Sequence, residues 1–203
     1  YGTLLIIDET HTICAGPGGF TAAEGLAPDM LTIGKTIAGG IPAAAFGLTR
    51  ELAEKVLPDM QGDDTDVSGV GGTLAANALS MAATLATLEH VLTEAAFDRM
   101  IALAERFTAG VNEVIQRHGA PWSVTRLGCR AEYVFLPQPP TSGGEAAAAM
   151  DHALERLMHL HALNRGILLT PFHNMALMSP VTTEADIDRH TGVFEEAVAE
   201  LFD

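Results

Sequence analysis

The sequence predicts an α/β fold: a mostly parallel sheet with its helices, followed by a small α+β domain. Three observations carry this. Residues 3–8 run apolar without polar alternation, as strands do when a parallel sheet covers both their faces. Two long helical patterns, 73–90 and 94–118, follow a set of short apolar runs. Beyond them come two short strand patterns about a tight turn, then more helix. The shift near residues 90–95 sets the expected boundary, with 1–93 in the larger domain and 94–203 in the smaller.

Each element has its own signal. After the strand at 3–8, Thr10 to Gly19 reads as a glycine-rich loop. Pro28 to Ile33 reads as a turn and a second short strand, Ala43 to Thr49 as a third, and Arg50 to Val56 as a short helix. Gln61 to Gly72 is polar and glycine-rich, a loop. Thr73 to His90 is alanine-rich, with small residues all round, which suits a helix packed on several sides. Glu94 to His118 places Phe97, Ile101, Ala104, Phe107, Val111 and Ile115 at helical spacing. Trp122 to Arg126 and Ala131 to Leu136 read as strands around Leu127-Gly128-Cys129-Arg130. Gly144 to Asn164 reads as a helix, Gly166 to Thr170 as a short strand, and Thr183 to Phe202 as a closing helix with acids in its first turn.

Composition bounds the function. The 203 residues are 48% hydrophobic, enough for one large core or two modest ones. A net charge of −15 disfavours nucleic acid and anionic membrane as partners. Two distant cysteines, Cys14 and Cys129, form no disulfide framework or metal-ligand spacing, so a reducing, cytoplasmic interior is the expectation. No apolar run is long enough to span a bilayer as a helix. The chain opens at Tyr1 directly into a hydrophobic strand, which reads as a piece of a longer protein.

Lys35 is the most informative single residue. Leu31, Ile33, Ile37 and Ile41 flank it, with Gly34, Gly39 and Gly40 close by. Apolar, glycine-walled surroundings would strip solvent from its ammonium and leave the neutral amine available as a nucleophile. Upstream, the apolar strand delivers the carboxylates Asp8 and Glu9. A strand that delivers an acid and a second that delivers a lysine suggest a pyridoxal phosphate (PLP) site.

Ile6-Ile7-Asp8-Glu9-Thr10, then Pro28-Asp29, Gly34-Lys35, Gly39-Gly40 and Pro42 in order, resemble the class III aminotransferases among fold-type I PLP enzymes. The nearest branch is the glutamate-1-semialdehyde aminomutase-like group. The stretch Ser68 to Asn77 is similar to that family's threonine turn. The resemblance implies that Lys35 forms the Schiff base and shuttles the Cα proton, and that Asp8 pairs with the pyridinium nitrogen. It implies that Gly72 and Thr73 hold the phosphate of a neighbouring subunit's cofactor, and hence a homodimer. His11, three residues after Asp8, lies where the family places a residue against the ring or its 3-hydroxyl. The implied reaction moves an amino group between an amino acid or amine and a carbonyl compound. Aminomutase, racemase and ammonia-lyase chemistry would use the same residues. The family's glycine/serine phosphate loop and ring-stacking aromatic have no counterpart in these 203 residues. An inactive fragment serving only as a structural or binding module is therefore the alternative from another class.

The remaining motifs have plainer readings. Glu9 reads as structural, and an ordinary helix N-cap is the lesser reading of Gly71-Gly72-Thr73. His152, His159, His161 and His173 lack a cysteine or carboxylate to complete a ligand set, so no metal is expected. Gly16-Pro17-Gly18-Gly19 lacks dinucleotide-fingerprint spacing and reads as an active-site loop. Many family members bind a substrate carboxylate through a C-terminal arginine. The stretch Phe172 to Pro180 holds none, which leaves substrate recognition open.

Overall fold

The computed structural model describes residues 2–60, 72–170 and 173–202. Most of the expected loop at 61–72, the start of the threonine turn at 68–71, and Phe172 lie outside the described residues. The chain divides into two compact units, Tyr1–Ala96 and Phe97–Asp203.

The first unit is built on a three-stranded sheet in the order β1 (Ile6–Asp8), β2 (Met30–Gly34), β3 (Ala44–Leu48). β1 and β2 run parallel with Asp8 opposite Thr32, and β3 is antiparallel to β2 with Ala44 opposite Gly34. Asp29 fixes the entry to β2: its carboxylate accepts from the Leu5 amide at 2.8 Å, while the Asp29 and Met30 amides donate to the Leu5 carbonyl. The expected strand at 3–8 is shorter and less covered than its apolar run predicts. Leu4, Leu5 and Ile6 are 51%, 49% and 57% exposed, because among the described residues β1 has a neighbour on one edge only.

The expected glycine-rich loop contains a 3₁₀ turn (Thr12–Ala15) and ends at Gly19, where α1 (Gly19–Ala23) begins. Glu9 organises them. Its carboxylate is fully buried and accepts from the Thr12 hydroxyl and the Phe20 and Thr21 amides. Burial pushes its pKa up, but hydrogen bonds from Thr12, Thr21 and Phe20 outweigh this and hold it below the usual carboxylate range. Gly19 makes the contact possible: its φ is +69°, and a Cβ there would come within 2.7 Å of the Glu9 carboxylate. Gly19→Ala is expected to cost about 1–3 kcal/mol through backbone strain and the displaced carboxylate, measurable as a lower urea midpoint.

α2 (Arg50–Met60) extends beyond the expected short helix. The next helix starts later than expected. α3 (Ala78–His90) is capped by Asn77, whose side chain accepts from the Ser80 amide. Residues 73–76 form a turn, with Ala76 at φ +53°. α3 packs on the 3₁₀ turn Lys35–Ala38. Ser80 Oγ donates to the Pro42 carbonyl at 2.8 Å, and Thr87 fits against Gly39. The remaining α3 surface carries exposed Leu79, Met81, Leu85 and Leu88, so it is not covered on several sides by the described residues.

In the second unit, α4 (Glu94–His118) matches its expected limits and buries Phe97, Ala104, Phe107, Val111 and Ile115. The hairpin β4 (Ser123–Leu127) and β5 (Arg130–Val134) turns at Gly128-Cys129, with Gly128 at φ +54°. The third strand is β6 (Met175–Leu177), antiparallel to β5, rather than the expected 166–170, which is not a strand. The expected helix at 144–164 is two: α5 (Gly143–Ala148) and α6 (His152–Asn164). Asp151 separates them, its carboxylate accepting from the Ala153 and Leu154 amides as a new N-cap. α7 (Glu184–Phe202) closes the unit behind a Thr183/Asp186 capping box. Arg106 bridges α4 to Asp188 of α7 at 2.7 and 2.8 Å.

Trp122, Tyr133, Phe135 and Phe194 form the aromatic centre of this core. His190 of α7 is 5% exposed and lies 4.5 Å from the Phe107 ring. Burial lowers its pKa to about 4, so the folded imidazole stays neutral. Between pH 6.5 and 4 the unfolded chain binds a proton that the folded chain does not, so this contribution to stability is lost as pH falls through that window. His190→Phe is expected to flatten the acid limb of the stability–pH curve by about 3 kcal/mol over that range, read from urea midpoints at several pH values.

Candidate active site

The site lies at the C-terminal ends of the parallel pair β1/β2, where open α/β sheets place ligands. Asp8 ends β1, and its Oδ1 accepts from the Thr10 amide at 2.9 Å. The Thr10 amide and hydroxyl, the Thr32 hydroxyl and the nearby Lys35 charge together hold its carboxyl below the usual range. Asp8 is therefore an anion at neutral pH. Thr32 arrives through register, since parallel pairing sets it opposite Asp8.

β2 ends at Gly34, and Lys35 begins the 3₁₀ turn at φ +55°, a left-handed conformation unusual for a side-chain-bearing residue. Its Nζ lies 2.7 Å from Nε2 of His11. The expected apolar enclosure is not made by these residues: Ile37 is buried beneath the turn, but the Lys35 side chain is exposed. The reason is local. Ile37 and Ala38 point into the contact with α3, which leaves Lys35 at the outer side of the same turn.

Asp8, His11 and Lys35 thus form one cluster. Gly72 and Thr73 are exposed and share no hydrogen bond with it among the described residues. The helix start expected at Thr73 lies instead at Ala78, so the amides of Gly72 and Thr73 belong to a turn rather than to a helix N-terminus. The other histidines are dispersed: His152 pairs with Glu155 at 3.0 Å and His173 with Glu132 at 3.4 Å, and no group of three metal-ligating side chains occurs among the described residues. Sequence reasoning passed over Thr10 and Thr32 as partners of Asp8. The signal for Thr10 is local, an Asp side chain bonding the amide two residues on, whereas Thr32 is placed only by the pairing of one strand end against the other.

A sheet whose strand ends present a held carboxylate and an amine, followed by a separate α+β unit, defines an α/β protein with an acid–amine centre. Residues 1–198 match the aminotransferase class-III family model, and the chain belongs to that family. It is 37% identical over 202 residues to a glutamate-1-semialdehyde 2,1-aminomutase of Thermomicrobium roseum, covering 98% of this chain and 45% of that protein. A crystal structure of a glutamate-1-semialdehyde-aminomutase from Pseudomonas aeruginosa in complex with PMP aligns with a TM-score of 0.93 at 45% identity, over 98% of this chain and 45% of that one. An omega-transaminase from Sphaerobacter thermophilus aligns with a TM-score of 0.79 at 28% identity, over 98% of this chain and 44% of that one. The chain spans about half the length of the relatives it matches. Among the described residues, no helix is long and apolar enough to cross a membrane.

Proposed function

We propose that this chain is part of a cytoplasmic PLP-dependent enzyme that moves an amino group between an amino acid or amine and a carbonyl compound. Residues 1–93 belong to the cofactor-binding large domain and 94–203 to the small C-terminal domain. The observation that carries the reading is the Asp8/His11/Lys35 cluster at the ends of β1 and β2. The residues fit the cofactor: an exposed primary amine stands near a carboxylate that remains ionised. Family membership and the aminomutase complex with PMP support the same group. When bound, PLP supplies an electron sink for a carbanion at the substrate carbon.

Each residue then has a task. The Asp8 carboxylate would hold a proton on the pyridine nitrogen. The Lys35 amine would hold the cofactor and would carry the proton at the substrate carbon. His11 lies against the ring or its 3-hydroxyl. Gly72 and Thr73 would hold the phosphate in the partner subunit of a homodimer, through the backbone and hydroxyl that these exposed residues present.

A second reading, an aminomutase, is favoured by the names of the relatives at 37% and 45% identity. Acceptor dependence separates the two. The whole protein with PLP is expected to turn over an amine only when a keto acid is supplied. Conversion of a single amino substrate without any acceptor would overturn the transferase reading in favour of aminomutase, racemase or lyase chemistry.

A further inference from the structure

Lys35 holds a left-handed backbone that is strained for a non-glycine residue, and this residue is the one whose side chain ends on His11. Both side chains are exposed, so packing does not force the contact. The His11 backbone is held by hydrogen bonds of the turn that follows it. It precedes the Thr12–Ala15 turn, in which the Ile13 amide donates to the Glu9 carbonyl and the Cys14 amide to the His11 carbonyl. Glu9 is buried beneath, tied to Thr12, Phe20 and Thr21. A four-carbon stem on one side thus meets a ring mounted on a pinned turn. An amine attacks through its lone pair. Only an imidazole that accepts from the amine, with its own proton on Nδ1, leaves that pair free.

We infer that His11 is a positioning residue for Lys35: its Nε2 accepts a hydrogen bond from the amine and aims the lone pair at an incoming electrophilic carbon. This rests on reading Lys35 as the cofactor-anchoring amine, and it adds a role that a contact to the cofactor ring does not require.

Two substitutions isolate the acceptor. His11→Phe keeps a ring without an acceptor atom, and His11→Gln restores an acceptor oxygen without a ring. The chain has one other lysine, Lys55, paired with Glu51 on the surface of α2, which serves as an internal reference. The whole protein, stripped of cofactor, is treated with the succinimidyl ester of acetic acid at fixed pH, and acetylation of both lysines is followed by peptide mass spectrometry. The Lys35/Lys55 rate ratio is expected to fall about tenfold in His11→Phe, the worth of one net hydrogen bond, and to return to within about threefold of wild type in His11→Gln. An unchanged ratio in His11→Phe, or His11→Gln as slow as His11→Phe, would overturn the inference. The same proteins are then given PLP and its capture is followed by absorbance. Capture at equal rates in all three refutes the positioning role but leaves the enzyme reading intact. No capture in any, with the acetylation pattern preserved, refutes the enzyme reading and leaves the His11–Lys35 contact standing.

Discussion

Lys35→Ala in the whole protein is expected to lower kcat by about 10³–10⁴-fold while leaving the fold and much of the non-covalent cofactor affinity in place. On the proposed function the amine has two tasks at one atom, anchoring the cofactor and moving the substrate proton, so its removal would take away both. No lysine elsewhere in this chain can substitute. Lys55 sits on α2, where its ammonium is held by Glu51 at 2.6 Å. Lys35 is exposed, and the turn beneath it is anchored by Ile37 and by Ser80 on Pro42, so stability should change by less than about 1 kcal/mol. Lys35→Arg should be as inactive as alanine, because the guanidinium carries charge but has no free amine lone pair. Thermal midpoints near wild type combined with partial rescue by a small exogenous amine would identify a chemical rather than a structural loss.

Asp8→Asn is expected to lower kcat by about 10²–10³-fold, the scale of removing one electrostatic partner aimed at developing charge. The amide keeps an oxygen for the Thr10 N–H, so the local turn survives, but the charge proposed to hold a proton on the pyridine nitrogen is gone. The pH dependence has a definite sign. The folded carboxyl lies below the usual carboxylate value, so Asp8 remains charged throughout the neutral range and its contribution is lost only as pH falls through that lowered value. Wild-type kcat should therefore show no Asp8 titration above about pH 4. Asp8→Glu, which keeps the charge but displaces it by one methylene, should fall between wild type and Asp8→Asn.

How far the sequence discloses all this varies by element. α4 is legible because its apolar residues recur at helical spacing over about five turns of buried contacts, from Phe97 to Ile115. The β4–β5 hairpin is legible because Gly128 marks the left-handed turn. β6 is not: Ile167 to Thr170 and Met175 to Leu177 are equally short and apolar, and only pairing with β5 selects the second. The break at Asp151 and the late start of α3 at Asn77 are both side-chain caps inside alanine-rich runs, where composition favours an unbroken helix. At the site, Asp8 and Lys35 stand out from strand ends and motif order. Thr32 on Asp8 and the His11–Lys35 contact depend on strand register and on the course of the Glu9-pinned turn, which no local spacing encodes.

The most direct test of the central claim is reduction of the PLP-loaded whole protein with borohydride, followed by digestion and peptide mapping. The account predicts a single pyridoxyl mass, on the peptide that carries Lys35. Label at Lys55 or at any other amine, or a protein that retains PLP with Lys35 unlabelled, would contradict it.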